Sequence, residues 1–120
     1  DRFLGESYRV LKPGGIIVMM TPDWQTQMKN FYDDPTHVKP FTQRSLFAIL
    51  KLHQFQNVRS ETLMQLPITW KFPILKSIFS FGAQFFPENL KWKTETGRNT
   101  KDRKWIRFSK ELMVLGVGYK

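Results

Sequence analysis

Residues 6–22 read ESYRVLKPGGIIVMMTP, and this stretch decides the fold. Apolar side chains recur at about one-turn spacing from Arg2 to Leu11, and the Pro-Gly-Gly sequence that follows is typical of a helix end. The run at 16–20 is apolar without polar alternation, which is typical of a strand covered on both faces, as in a parallel sheet. The stretch therefore predicts a helix, a tight turn and a buried strand.

The rest of the chain continues the α/β pattern. Thr42 is a suitable N-cap for an amphipathic helix that runs to about His53. A weaker strand is predicted at 58–66, and a stronger one at 111–119 closes the chain. A helix, turn and strand like those of 6–22 normally follow earlier strands of a parallel sheet. We therefore expect this chain to be the C-terminal part of a larger domain.

Composition limits the classes of protein and of site. The 120 residues are enough for one domain, 1–120, and the 41% hydrophobic and 15% aromatic content excludes intrinsic disorder. The absence of cysteine excludes disulfides, thiolate metal sites and a cysteine nucleophile, and it fits a cytoplasmic protein. The two histidines lie far apart without a glutamate in helical register, so no metal site is predicted. The net charge of +9 favours polyanionic partners.

Residues 67–107 form an insertion between the last two predicted strands. Its first half is very apolar, but flanking prolines limit a helix there to a length too short to span a bilayer. Its second half, 91–107, is basic and is predicted to be a solvated loop. Three interpretations of the apolar half stay open: packing in the core or an interface, a lid that brings Trp70 and Phe72 to an apolar substrate, and a membrane-surface helix.

A polar loop, 24–40, follows the first predicted strand, at the end where open α/β sheets bind ligands. His37 is the candidate general base of this loop, because an imidazole changes its charge close to neutral pH. Asp34 is the candidate catalytic partner of His37. The alternative is that both side chains only hydrogen-bond the loop backbone and fix its shape. Thr21 and Tyr32 are candidate substrate-binding residues.

With these elements placed, the chain resembles the C-terminal part of a class I S-adenosylmethionine-dependent methyltransferase of the ubiquinone-biosynthesis-like kind, the methyltransferase type 11 family. Residues 6–22 are similar to that family's helix, turn and fifth strand. Residues 34–38, with the helix that follows Thr42, are similar to the next loop and helix, and 111–120 are similar to the last strand. The resemblance implies an α/β fold: an incomplete Rossmann-like sheet with strands five to seven of seven and their flanking helices. In that sheet the last strand is antiparallel and lies between the other two.

The resemblance also implies an activity, the transfer of a methyl group from S-adenosylmethionine to a small, apolar acceptor. In the family, the glycine-rich loop and the acidic residue that bind this cofactor follow the first two strands, and neither motif is found in this sequence. Gly14 and Gly15 precede a strand and are predicted to form a turn, so no cofactor-binding residue is predicted. We expect the complete enzyme to use S-adenosylmethionine, and this chain alone to bind it weakly or not at all and to show no turnover.

The missing earlier strands have a second implication. The strand at Ile16–Met20 would expose its backbone edge, and we expect it to pair with another copy in a homodimer that completes the sheet. The alternative function is a non-catalytic interaction module that binds a protein, an anionic lipid or a nucleic acid through this edge and the basic insertion. Nucleic acid is the least expected partner: Trp92 and Trp105 lie among basic residues, but the sequence contains no recognised nucleic-acid module.

Overall fold

The structure is a computed structural model that describes residues 2–29, 31–85 and 104–120, with the backbone alone at 104–106. The chain is mixed α/β, as predicted. In chain order the elements are α1 (Arg2–Val10), β1 (Ile16–Pro22), α2 (Trp24–Gln27), a 3₁₀ turn (Phe31–Asp33), α3 (Gln43–Leu52), β2 (Gln56–Met64), α4 (Ile68–Lys71), α5 (Ile74–Gln84), α6 (Lys104–Lys110) and β3 (Leu112–Tyr119).

The three strands form a small, open, antiparallel sheet in the order β1-β3-β2. The last strand of the chain therefore lies between the other two. β3 runs antiparallel to β1, with Ile16 opposite Tyr119 and Pro22 opposite Met113. All three strands and the two longer helices of the first half begin and end within two residues of their predicted bounds, because local apolar patterns and turn residues determine those bounds.

The Pro-Gly-Gly sequence between α1 and β1 forms the predicted turn. The backbone N–H of Gly15 donates to the carbonyl of Lys12 (2.8 Å), and Gly14 has a φ of +78°. A left-handed φ of this kind favours glycine, because a Cβ would crowd the backbone. The same two glycines hold the end of β3: Gly14 N–H donates to Lys120 O, and Lys120 N–H donates to Gly15 O, each at 2.9 Å.

Helix α3 covers one face of the sheet. A capping box begins it: the Thr42 hydroxyl accepts from Ser45 N–H (3.2 Å), and Thr42 N–H donates to the Ser45 hydroxyl (2.8 Å). The core is apolar throughout and consists of Leu4, Ile17, Leu46, Ile49, Leu50, Phe55, Val58 and Val114. The helix approaches β3 closely, since a Cβ added at Gly116 would lie 2.8 Å from a methyl carbon of Leu46.

The other face of the sheet is open, and here the prediction for β1 was wrong. Ile17 is buried, but Ile16, Val18 and Met20 are each at least half exposed. In the register with β3, these three residues stand opposite Tyr119, Val117 and Leu115 on the uncovered face. An apolar run indicates that a strand can be buried on both sides. It does not say which elements cover it, and in the described residues one side has no cover.

The chain divides into two compact units, Asp1–Leu63 with Met113–Lys120 and Met64–Leu112. The second unit includes the predicted insertion at 67–107. Within this unit α5 contacts both α4 and α6. Helix α6 begins at Lys104, so the prediction of a basic loop is wrong for 104–107, and the rest of that loop, 91–103, lies outside the described residues. None of the helices described here is long and apolar enough to cross a bilayer.

Candidate functional site

The candidate site is the segment that joins β1 to α3. Asp23 ends the strand and caps α2, because its carboxylate Oδ2 accepts from the backbone N–H of Thr26 (3.1 Å). The base of the segment is closed: Trp24 N–H donates to the carbonyl of Phe41 (2.8 Å), and Asp23 pairs with Phe41 in a single parallel bridge. The segment is therefore a closed loop at the C-terminal end of β1.

Four rings of this loop pack together, and we call them the Phe31 cluster. Phe31 is buried, with its ring centroid 5.3 Å from Trp24, 5.1 Å from Tyr32 and 4.8 Å from His37. The contacts with Trp24 and Tyr32 are edge to face, a favourable geometry for aromatic pairs. The cluster gives an otherwise polar loop a small core of its own, which holds His37 and Tyr32 in place.

The hydrogen bonds of His37 define which ring nitrogen is available. Its Nδ1 lies 2.9 Å from the carbonyl oxygen of Phe31. Because a carbonyl only accepts hydrogen bonds, we assign the proton of the neutral ring to Nδ1. Nε2 then carries the lone pair, and it lies 3.8 Å from Oδ2 of Asp34. His37 is thus oriented by the backbone and retains a nitrogen that can accept a proton.

Asp34 stabilises the loop and also faces the histidine. Its Oδ1 accepts from the Thr36 hydroxyl (2.6 Å) and from the Thr36 backbone N–H (2.9 Å). The Thr36 side chain first, then its backbone N–H, and last the nearby His37 charge lower the pKa of Asp34 below its usual value. An ionised Asp34 would attract a cationic His37 ring through its Oδ2. Asp34 therefore both hydrogen-bonds the loop backbone and lies close enough to His37 to interact with its charge. These are the two roles that the sequence left open.

The structure brings together three of the six predicted site residues. Tyr32 and His37 belong to the Phe31 cluster, and Asp34 lies beside His37. Thr21 stands opposite the buried Val114, on the covered face of the sheet. Trp70 and Phe72, the other two, belong to the second unit and lie in and just after α4.

Asp23 is a notable residue of the site that was not predicted as a site residue. The side chain is buried, and its second carboxylate oxygen, Oδ1, has no hydrogen-bond partner among the described residues. Leaving a buried acceptor unpaired costs about 1–3 kcal/mol, so such atoms often lie at functional sites. The pattern Asp-x-x-Thr directly after a strand indicates a helix N-cap, but sequence alone does not indicate that this carboxylate is buried.

A separate depression of about 490 Å³ lies on the open face of the sheet. Its lining combines charged and apolar side chains: Arg59, Ser60, Glu61, Leu115, Val117 and Tyr119. None of the predicted site residues lines this depression. The depression is part of the exposed surface of the sheet and is separate from the candidate site at the end of β1.

The two glycines before β1 have a structural role. Gly14 and Gly15 form a turn before β1, and their backbone N–H groups donate hydrogen bonds to backbone carbonyls. The described residues between β1 and α3, and those between β2 and α4, include no glycine. A glycine-rich loop after a strand would allow the backbone to approach a nucleotide cofactor. Across the described part of the chain, no group of three or more acidic or histidine side chains could hold a metal ion.

The loop therefore offers a proton acceptor at His37, an exposed phenol at Tyr32 and the half-buried indole ring of Trp24 beside Tyr32. This combination can bind a small molecule that has both an apolar part and an acidic proton. No protein-family model, curated protein or solved structure matches the chain.

Proposed function

We propose that this chain is the acceptor-side portion of a class I S-adenosylmethionine-dependent methyltransferase that acts on a small, apolar molecule. The order of the sheet carries the proposal. The resemblance implies that the last strand is antiparallel and lies between the two strands before it, and the observed order is β1-β3-β2 with β3 antiparallel to β1. A last strand that returns between two earlier strands is a specific arrangement, since sequential strands are neighbours in most sheets.

The candidate site also supports the proposal. Methyl transfer needs a positioned acceptor and, for an acceptor with an O–H, N–H or C–H group, removal of one proton. Nε2 of His37 would take that proton, while Nδ1–H stays bonded to Phe31 O. The Asp34 carboxylate, 3.8 Å from Nε2, would stabilise the imidazolium that results. The apolar surface of the Phe31 cluster would bind the rest of the acceptor.

Sequencing the coding DNA upstream of Asp1 tests this proposal. We expect the reading frame to continue into a strand, a glycine-rich turn and a helix. The longer protein should gain thermal stability with S-adenosylhomocysteine, because a ligand that binds only the folded state raises its stability. The present chain should show no such gain. A longer protein whose Tm does not respond to S-adenosylhomocysteine would contradict the proposal.

The second candidate function is a non-catalytic interaction module, and the free edge of β1 favours it. Gly15 O accepts from Lys120 N–H, and backbone groups alternate sides along a strand. Ile16, Val18 and Met20 therefore direct their N–H and C=O groups away from β3. Among the described residues no strand pairs with that edge. Salt-dependent binding of a partner without any response to S-adenosylhomocysteine would favour this function over methyl transfer.

A further inference from the structure

Helix α5 carries an exposed apolar stripe. Ile74, Ile78, Phe81 and Phe85 are 58–75% exposed. They lie at i, i+4, i+7 and i+11, which places them on one side of the helix. The rings of Phe81 and Phe85 contact each other edge to face, with centroids 5.2 Å apart. A contiguous stripe of this kind is unusual on a protein surface and is typical of an interaction site.

The stripe is not the side by which α5 packs in its own unit. Ala83 is buried, and Leu75 and Phe79 are half-buried. These residues lie at i, i+4 and i+8 on a different side of the helix from the stripe. The helix is therefore apolar on two sides, and packing within the second unit explains only one of them.

The end of α4 adds two exposed aromatic side chains to the exposed apolar surface of α5. Trp70 and Phe72 are both about half exposed. The indole N–H of Trp70 donates to the carbonyl of Met64 (2.8 Å). The ring can thus enter an apolar medium without leaving an unpaired donor, which would otherwise oppose the transfer. Tryptophan is also enriched where proteins meet the membrane interface.

The charges in and after this stretch of the sequence are mainly positive. The only charged residues from 62 to 85 are Lys71 and Lys76, so no carboxylate lies in this stretch. The sequence from 86 to 110 contains eight Lys or Arg and three Asp or Glu. The apolar stripe is thus flanked in sequence by cations, a combination that complements an anionic lipid surface.

We propose that this exposed surface binds an anionic lipid bilayer, with α5 lying in the plane of the membrane interface. We call it the α4–α5 surface, and it consists of Trp70, Phe72, Ile74, Ile78, Phe81 and Phe85. The apolar side chains enter the boundary between headgroups and acyl chains, while Lys71, whose Nζ lies 5.6 Å from the centroid of the Phe72 ring, remains at the headgroups. Helix α5 has 11 residues, too few to span a bilayer but enough to lie on it. The inference goes beyond methyl transfer and does not depend on it.

The absence of cysteine provides a direct test of insertion. The full chain with Ile78→Cys is labelled with an environment-sensitive fluorophore, and Val38→Cys, at an exposed apolar residue of the first unit, is the matched control. Vesicles are phosphatidylcholine alone or with about one-third phosphatidylserine. We expect a blue shift at position 78 with the anionic vesicles, and no shift at position 38 with either kind.

Vesicle co-sedimentation provides the second test. Ile78→Ser and Phe81→Ser should each weaken the partition to anionic vesicles by about tenfold, since each removes an apolar side chain from the interface. Leu52→Ser, at an exposed residue at the end of α3, should leave the partition unchanged. Circular dichroism checks that each variant has the secondary structure of the parent chain.

Three results would overturn the proposal. The first is that the serine variants sediment with vesicles as the parent chain does and that the probe at position 78 shows no shift. This result would mean that charge alone attracts the chain to vesicles. A probe shift that depends on protein concentration without vesicles would assign the surface to a second copy. A shift on addition of a small apolar molecule, without vesicle binding, would assign it to a lid.

Discussion

His37 and Asp34 show how a few local hydrogen bonds prepare a side chain for chemistry. The Phe31 carbonyl orients the ring of His37, and the hydrogen bond from Thr36 is the largest cause of the lowered pKa of Asp34. Both effects arise within seven residues of the loop, from Phe31 to His37. The consequence at this scale is that each group can be tested by a substitution that leaves the sheet untouched.

On the proposed function, His37→Gln in the protein extended upstream of Asp1 should lower turnover by about 10²–10⁴-fold, the usual contribution of a general base. Glutamine keeps a polar side chain in the loop but cannot accept the acceptor's proton. His53→Gln is the matched control, because His53 closes α3, away from the loop at the end of β1. Equal turnover of the two variants in a methyl-transfer assay would show that His37 is not the general base.

The lowered pKa of Asp34 makes the loop sensitive to acid. Its folded-state pKa lies below the unfolded value, so the contribution of the Thr36 hydrogen bonds is present above the unfolded pKa and is lost as pH falls through the folded pKa. The amide shift of Thr36, followed by NMR, should titrate below the ordinary range of aspartate. Thr36→Val removes the largest cause and should move the midpoint upward, whereas an unchanged midpoint would contradict this account.

At the scale of elements, two glycines of β3 determine how closely the covering layer approaches the sheet. A Cβ at Gly116 would lie 2.8 Å from Leu46 and 3.0 Å from Leu50, and one at Gly118 would lie 2.8 Å from Phe55. The two contacts at 2.8 Å are shorter than real Cβ atoms show, and the contact at 3.0 Å is unusually tight. Helix α3 and Phe55, three residues after it, therefore sit directly on the backbone of β3.

Gly116→Ala should destabilise the chain by about 1–3 kcal/mol, because the added methyl group overpacks the contact with Leu46. Gly82→Ala is the control. Gly82 lies inside α5 with nothing within 4 Å of its Cβ position, so alanine there should stabilise by up to about 1 kcal/mol. Urea unfolding followed by circular dichroism measures both free energies. If both substitutions changed the free energy of unfolding in the same direction, this result would contradict the close packing of α3.

Sequence patterns predict these elements but not the distances between them. The apolar run of β1, the Thr42 cap and the Gly14 turn are local signals, and the structure confirms the strand, the cap and the turn, but not the burial of β1 on both faces. The need for glycine at Gly116 depends on a helix seventy residues earlier in the chain, so no local pattern reveals it. Helix α6 was missed because its basic residues resemble a solvated loop.

The same distinction applies to the candidate site. His37, Asp34 and Tyr32 were found because polar and aromatic residues in a loop after a buried strand are typical of function. The burial of Asp23, with one unpaired oxygen, and the central position of Phe31 were not found. Both depend on how the loop folds onto itself, which composition and spacing do not determine.

At the scale of the whole molecule, the free edge and the open face of β1 predict self-association. The strand carries no charge and has exposed apolar side chains at Ile16, Val18 and Met20, and it lacks the lysine that commonly protects an edge. Light scattering over a range of concentrations should give the mass of a dimer. Val18→Lys should give a monomer, and Val38→Lys, which adds the same charge in the loop, should remain a dimer. A monomeric parent chain at high concentration would contradict this prediction.

The pairing of β1 with β3 joins segments that are far apart in sequence, with Ile16 opposite Tyr119. During synthesis, β1 cannot pair with β3 until the residues between the two strands have been made. Closing so long a loop is entropically costly and slows folding. In the interval, β1 offers both edges and an apolar face to other nascent chains, so we expect this protein to depend on chaperones at high rates of synthesis.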